Sequence, residues 1–417
     1  MTAEAVTLER QAKETPAAVE AAAERDHWLL LVTVLLVAAG LVMVLSASQA
    51  RALLDSGDPL YYFKRQAIAA GLGIAAMVAL MRLDYHRLRR LALPLVAATA
   101  LLLLLVPVAG VEANGARRWF ALGPVVIQPT ELAKLPIALF FAHWCVKRGA
   151  RLRELADGFV PFTLLVLAAL GLVMLERDLG TTLVMAALVL SAFLAAGGRK
   201  WHLIVLVLAL AGLAVAVVVL EPYRFARLAV FTNPFGDQLG AGFQSTQALY
   251  ALGSGGFFGV GLGHSVQKFL WLPESHTDFI FAIIGEETGL AGTTTVLSAF
   301  LFFALRGYRA ALRAPDRLGL VLAAAITTWI SFQALVNMAT VTDTLPITGV
   351  PLPLISYGGS SVATSLAAIG VLLNIASQGA PQPLLGTRRR ADATVDLGRR
   401  DRWTPDARAR RRASASR

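Results

Sequence analysis

From residue 28 onward, long apolar runs alternate with short polar breaks. A helix that crosses a membrane needs about 20 consecutive apolar residues, within roughly 17–25. On that scale the sequence predicts helices near 28–48, 66–82, 91–110, 131–147, 158–175, 179–196, 202–220, 278–304, 318–341 and 359–378. That is an all-α polytopic membrane protein of about ten transmembrane helices. The first run ends in Ser46-Ala47-Ser48, which faintly resembles a signal-peptidase site, but it is long enough to span and more spans follow, so it reads as a retained helix. Only Glu176-Arg177-Asp178 separates the fifth run from the sixth, which predicts a tight hairpin. Residues 1–27 and 379–417 read as polar tails around a membrane domain at 28–378. One long segment, 221–277, divides the seventh helix from the eighth. It is too long for a plain connection. Its aromatic residues (Tyr223, Phe225, Phe231, Phe235, Phe243) and the run Gly253-Ser-Gly-Gly256 predict an ordered segment lying on the membrane surface.

Composition agrees with this pattern. The chain is 56% hydrophobic and only 16% charged over 417 residues, which excludes an ordinary soluble protein. Its single cysteine, Cys145, excludes an intramolecular disulfide and a cysteine metal site. The net charge of +11 is unevenly placed. The C-terminal tail holds Arg388, Arg389, Arg390, Arg399, Arg400, Arg402, Arg408, Arg410, Arg411, Arg412 and Arg417. Next to a span, such a tail reads as a cytoplasmic segment facing anionic lipid rather than as a nucleic-acid arm. With the N-terminus inside, the inner loops carry Arg82, Arg87, Arg89 and Arg90; Lys147, Arg148, Arg151 and Arg153; Arg199 and Lys200; and Arg306, Arg309, Arg313 and Arg317. The longer outer loops carry fewer: Arg51, Lys64, Arg65, Arg117, Arg118, Arg177, Arg224, Arg227 and Lys268. The bias places both termini in the cytoplasm and the 221–277 loop outside, away from ATP.

Candidate chemistry gathers at the outer ends of the helices. In Leu272-Pro-Glu-Ser-His-Thr-Asp278-Phe-Ile-Phe, a polar cluster runs into an apolar span, with Glu286 and Glu287 further on. A carboxylate at such a seam is either a helix cap, with Ser275 three residues before it, or a functional group. Glu274 and His276 lie beside it. Glu131 and Lys134 are three apart at a helix start, a spacing that pairs them. The other reading joins Lys134 to Arg117 and Arg118 in a cationic outer site suited to a phosphate. The glycines of Gly253-Ser-Gly-Gly-Phe-Phe-Gly259-Val-Gly261-Leu-Gly263 follow no predicted strand, so they read as sharp backbone turns rather than a nucleotide loop. Leu345-Pro-Ile-Thr-Gly-Val-Pro-Leu-Pro353 predicts a re-entrant turn, with Ser360 or Ser361 to cap the last helix. His276 and Asp278 do not make a zinc site; magnesium or manganese bridging a carboxylate and a pyrophosphate fits hard oxygen ligands better. The residues leave the metal undecided.

Six separated motifs carry a resemblance over roughly 28–378: Gly115-Ala-Arg-Arg-Trp119, Gln128-Pro-Thr-Glu-Leu-Ala-Lys134, Asp178-Leu-Gly-Thr-Thr182, Ala251-Leu-Gly-Ser-Gly-Gly256, Pro273-Glu-Ser-His-Thr-Asp-Phe-Ile-Phe281 and Ile355-Ser-Tyr-Gly-Gly-Ser-Ser361. In this order they resemble the SEDS family (shape, elongation, division and sporulation proteins). Gly259 to Lys268, Leu272-Pro-Glu274 and the basic tail lean towards its division branch, while Thr348 to Pro353 and Leu372-Leu-Asn-Ile375 lean towards its elongation branch. The division branch is the better match. Arg177 departs from the family, which often has proline before the aspartate of Asp-Leu-Gly-Thr.

The resemblance implies a peptidoglycan glycosyltransferase in the bacterial cytoplasmic membrane that acts on lipid II, at the division septum for the division branch. It implies Asp278 as the essential carboxylate. It also implies a class B penicillin-binding protein as partner, alongside other division proteins. In the mechanism that fits, Asp278 is the general base for the attacking sugar hydroxyl. Arg117, Arg118, Lys134 and Lys268 then meet the departing undecaprenyl pyrophosphate of the growing glycan, with or without a divalent ion. Glu131 orients Lys134, and Glu274, His276 and Ser360 belong to the same substrate surface. Glu286, eight residues and about 12 Å beyond Asp278, is expected as a buried partner for a cation. Two competing classes remain, a lipid II flippase and a non-catalytic scaffold. A flippase needs polar groups through the whole depth of the bundle, whereas only Glu286, Glu287, Gln333 and Asn337 lie deep.

Overall fold

The computed structural model describes residues 26–113, 116–122, 125–221, 230–231, 235–238, 240 and 242–379. Gly115, Tyr223, Phe225 and both basic or mixed-charge tails lie outside them, apart from the residues adjoining the bundle. In chain order the helices are α1 His27–Ser56, α2 Tyr61–Arg82, α3 Tyr85–Ala109, α4 Pro129–Arg148, α5 Val160–Met174, α6 Leu179–Ala195, α7 Lys200–Leu220, α8 Phe243–Ser254, α9 Ile280–Arg313, α10 Arg317–Val341 and α11 Gly359–Ser377. Every predicted apolar run falls largely within one of them. Eight described helices are long and apolar enough to cross a membrane. Of the other two predicted spans, α6 has only 17 residues, and α4 carries Glu131 and Lys134 inside it. The chain is a multi-pass helical membrane protein.

Three features were not predicted. Residues 111–127 form a small antiparallel sheet, β1 Val111–Ala113, β2 Ala116–Leu122 and β3 Val125–Ile127, in the order β1-β2-β3. In its register Phe120 faces Ile127. Strands of three residues are too short to show a period of two. Helix α8 lies inside the long 221–277 segment. The eighth span, expected as one run over 278–304, continues to Arg313 and breaks at Gly289, whose φ of 67° and ψ of −163° leave the helix.

Helices α10 and α11 form the centre of the bundle. In each, 72% of the most apolar stretch is buried, against 6% for α7 at the periphery. Helix α11 packs along α2, and α10 packs against α6 and α9. The outward faces carry exposed Leu72, Leu93 and Leu208, as a lipid-facing surface requires. At the end of the bundle away from the sheet, Asp26 caps α1 and pairs with Arg306 at 2.7 Å. There too Asn374 accepts from the Tyr85 amide and donates to the Met81 carbonyl, closing the α2–α3 turn.

Candidate functional site

Asp278 sits just before α9, half-buried. It is not the cap of that helix: the cap position is Phe279, and no side chain fills it. What distinguishes the segment is how its backbone is held. Three consecutive carbonyls are each gripped by a different donor. The Tyr357 amide donates to His276 O at 2.9 Å, the Ser356 hydroxyl to Thr277 O at 2.6 Å, and the Asn337 amide to Asp278 O at 2.7 Å. Asn337 also donates to Val350 O at 2.8 Å, which joins α10, the 342–358 loop and the Asp278 segment at one point. Gly349, at φ 72°, brings its backbone beside the carboxylate: a Cβ there would lie 3.5 Å from Asp278 Oδ2.

The 342–358 loop is fixed in turn from two sides. Gln66 of α2 donates to Ser356 O at 3.0 Å and accepts from the Gly358 amide at 3.1 Å. Gln333 of α10 donates to Pro351 O at 3.0 Å, and its oxygen accepts from Lys134 at 2.8 Å and from the Trp329 indole at 3.0 Å. Side chains locked by such partners hold a functional group to within a fraction of an ångström. His276 is buried between Tyr62 and Tyr357, with ring centroids at 4.7 and 5.5 Å. Burial pushes its imidazole below the ordinary histidine value. Glu274 is exposed, takes a left-handed φ of 54°, and accepts from the Thr277 hydroxyl at 2.8 Å.

The predicted cations do not assemble as one surface. Lys134 is fully buried and pairs with Glu131 at 2.6 Å, so the outer site of Arg117, Arg118 and Lys134 is not formed. The pairing that the three-residue spacing allows prevails because an unpaired ammonium in the core is costly. Lys268 is also buried, donating to Glu287 at 2.9 Å, Ser46 at 3.1 Å and Gly263 O at 2.6 Å. Glu286 is not its partner. That carboxylate accepts from the Ser265 hydroxyl and from the amides of Val266 and Gln267 at 2.9 and 3.3 Å, and the cation goes to Glu287. Ser360 does not cap α11; it accepts from the Gln128 amide at 3.2 Å, docking the end of β3 onto that helix. Arg117 stays exposed, donating to Val108 O. Arg118 is half-buried, with its guanidinium on the carbonyls of Glu176 and Arg177 at 3.0 Å each. Arg177 itself has φ 56°, a conformation closed to proline, so this turn cannot take the shape a proline would impose.

The glycine run has a structural task. Gly259 lies against α9 so closely that a Cβ would sit 2.2 Å from Glu287 O. The amides of Val260 and Gly261 donate to Glu286 O and Glu287 O, and those of Leu290 and Ala291 donate to Gly256 O and Phe257 O. The loop thus supplies partners that the break at Gly289 leaves open, which an apolar environment demands. Sequence reading missed Gln66 and Gly349; Gln66 had only its polarity within an apolar run as a signal. Asn337 and Gln333 were visible as deep polar residues, but not their partners. Among the described residues, no group of three or more His, Cys, Asp or Glu side chains comes together to hold a metal ion. A magnesium or manganese ion bridging one carboxylate and a pyrophosphate would need fewer protein ligands than such a group.

Comparison with known proteins returns a consistent answer. A family model described as cell cycle protein, covering FtsW, RodA and SpoVE, matches residues 26–380. Stage V sporulation protein E of Bacillus subtilis (strain 168) is 41% identical over 353 residues, covering 84% of this chain and 96% of its own length. A probable peptidoglycan glycosyltransferase FtsW of Alkalilimnicola ehrlichii is 43% identical over 359 residues, covering 84% and 89%. Among solved structures, a chain from a peptidoglycan synthase complex that coordinates polymerization and crosslinking superposes with a TM-score of 0.71 at 33% identity, covering 85% of this chain and 98% of that one. The rod shape determining protein RodA of Thermus thermophilus superposes at 0.64 with 32% identity, covering 86% and 99%.

Proposed function

Because this chain belongs to the cell cycle family of FtsW, RodA and SpoVE, the SEDS family, we propose that it is a peptidoglycan glycosyltransferase polymerising lipid II, with Asp278 as the general base. The observation that carries the assignment is the triple grip on the carbonyls of His276, Thr277 and Asp278. Buried carbonyls need partners in any fold, and here the same three bonds also fix a carboxylate-bearing segment, as a base must be held within hydrogen-bond reach of the proton it takes. The sugar 4-hydroxyl of the acceptor attacks the anomeric carbon of the donor. A new C–O bond forms, the proton passes to Asp278, and the anomeric bond to undecaprenyl pyrophosphate breaks with its electron pair on the leaving oxygen. Attack opposite the leaving group inverts the anomeric centre. Arg117 is the exposed cation for the pyrophosphate, and Arg118 holds the turn beside it. Lys134, Lys268, Glu131 and Glu286 act by fixing the frame.

The bias of basic residues towards the inner loops supports cytoplasmic termini and Asp278 on the outer face. The relatives named FtsW support a role in division. The solved synthase complex supports a cross-linking partner, a class B penicillin-binding protein. The test is polymerisation of purified lipid II by the full chain with that partner added, beside Asp278→Asn. The variant is expected to lose about 10²–10⁴-fold in rate while still binding lipid II. Equal strands from both proteins would remove Asp278 as the base. Flipping of lipid II without polymerisation by the parent would support the flippase instead.

A further inference from the structure

The end of the bundle opposite Asp278 holds a cavity of about 350 Å³ between the last turn of α4, the end of α6 and the start of α10. Its walls include Cys145, Ala195, Ala196 and Leu320, and two arginines, Arg153 and Arg317, stand among them. Arg317 and Asn337 are twenty residues apart on α10, so about 30 Å separates this cavity from the Asp278 segment. Nothing in the proposed reaction uses it.

The arginines are set up differently from the others at this end. Arg153 lies in the short 3-10 turn Gly149–Arg153 that follows α4. Its Nε donates to Gly197 O at 2.8 Å, which fixes the guanidinium and leaves its terminal nitrogens for another acceptor. Gly197 has φ 87°, a left-handed conformation that favours glycine at this wall. Arg317 is the first residue of α10, and its exposed side chain has no hydrogen bond or ion pair among the described residues. The neighbouring acid, Asp316, is engaged elsewhere, with the Tyr85 hydroxyl at 2.8 Å, the Gly319 amide at 2.7 Å and His86 at 3.0 Å. Arg199 and Lys200 are exposed just beyond the Gly197 wall and add positive potential.

We propose that this cavity binds the phosphate of an anionic phospholipid headgroup, with Arg153 and Arg317 as the anion-binding pair and the apolar walls taking the glycerol region. Guanidinium groups suit phosphate oxygens through two parallel N–H donors. Basic pockets between membrane helices on the cytoplasmic side are where anionic headgroups bind, and the basic inner loops put this end in the cytoplasm. A free phosphate would use the arginines but not the apolar walls. The proposal is independent of the glycosyltransferase reading.

The test titrates the purified full chain in detergent with dioleoylphosphatidylglycerol, dioleoylphosphatidylcholine or inorganic phosphate, and counts retained molecules by native mass spectrometry. One phosphatidylglycerol is expected to be retained in preference to phosphatidylcholine, and inorganic phosphate should not displace it. In Arg153→Gln/Arg317→Gln its apparent affinity should fall roughly thirtyfold, from the loss of two arginine contacts. The same charge change in Arg90→Gln/Arg309→Gln, at the same end but outside the cavity, should leave it unchanged. If the glutamine pair does not fold, Arg153→Lys/Arg317→Lys keeps the charge and should still weaken binding several-fold by losing the paired donors. Equal loss in the cavity and control pairs, or no loss in the cavity pair, overturns the site. Displacement by inorganic phosphate overturns the lipid as its ligand.

Discussion

Lys134 and Lys268 look alike in the sequence, each a lone base near the end of an apolar run, and both turn inward. Lys134 is held by Glu131 and Gln333, Lys268 by Glu287, Ser46 and a carbonyl. Removing one member of a buried pair strands the other, at a cost of about 3–5 kcal/mol. Lys134→Met is therefore expected to lower the melting temperature sharply, and Glu131→Gln added to it should restore part of the loss. Additive losses in thermal melts would show that the two residues are not coupled. Glu176 is a buried acid of another kind. Among the described residues neither carboxylate oxygen has a hydrogen bond of ordinary geometry, and burial, reinforced by Asp178 and only partly offset by the nearby Thr130 hydroxyl and Arg118, pushes its pKa up to about 8. The folded protein then holds a proton that the unfolded chain, near the ordinary 4.5, gives up. Stability should fall as pH rises from about 4.5 through about 8, because the folded state binds more protons across that window. Glu176→Gln should flatten this slope and melt higher than the parent at pH 9, with the gap closing towards pH 4. Parallel melting curves across that range would count against it.

At the scale of elements, the break in α9 and the glycine loop are one construction. Gly289 opens the helix, and the backbone of residues 256–261 fills the opening. Three glycine-to-alanine changes separate the causes. Gly259→Ala adds a Cβ 2.2 Å from a carbonyl at φ 82° and is expected to be the most harmful. Gly263→Ala meets nothing within 4 Å but has φ 83°, so it should cost only the left-handed strain, about 1 kcal/mol. Gly253→Ala, inside α8 with open space around it, should be neutral or slightly stabilising. Melting temperatures in any other order would separate the glycine loop from the break.

At the scale of the molecule, α2, α10 and the 342–358 loop converge on one carboxylate-bearing segment, so residues that never touch substrate should still set the rate. Asn337→Leu removes the donor to both Asp278 O and Val350 O. It is expected to slow polymerisation by about 10²-fold through misplacement of Asp278, the proposed base, with lipid II binding retained. A matched loss of binding would instead place Asn337 in the substrate surface. Much of this molecule was legible beforehand. The spans followed from hydropathy, and the seam at Asp278 followed from a carboxylate meeting an apolar run. Strands β1 and β3 were hidden because three residues show no period, and the break at Gly289 was hidden because a single glycine in an apolar run does not announce a kink.

The sequence by itself determined where the chain meets lipid, which end is basic, and which carboxylate stands at the boundary, because each depends on local composition along the chain. Only the tertiary structure decided which distant polar groups meet inside the bundle. Lys134 finds Gln333 across 199 positions, and Ser46 finds Glu287 across 241. A buried polar group takes whichever partner the neighbouring helix presents, and helix adjacency is not written in hydropathy. The same reason separates the two Glu residues at 286 and 287: adjacent in sequence, they point to different sides of one helix, so one carboxylate receives amides and a hydroxyl and the other a lysine.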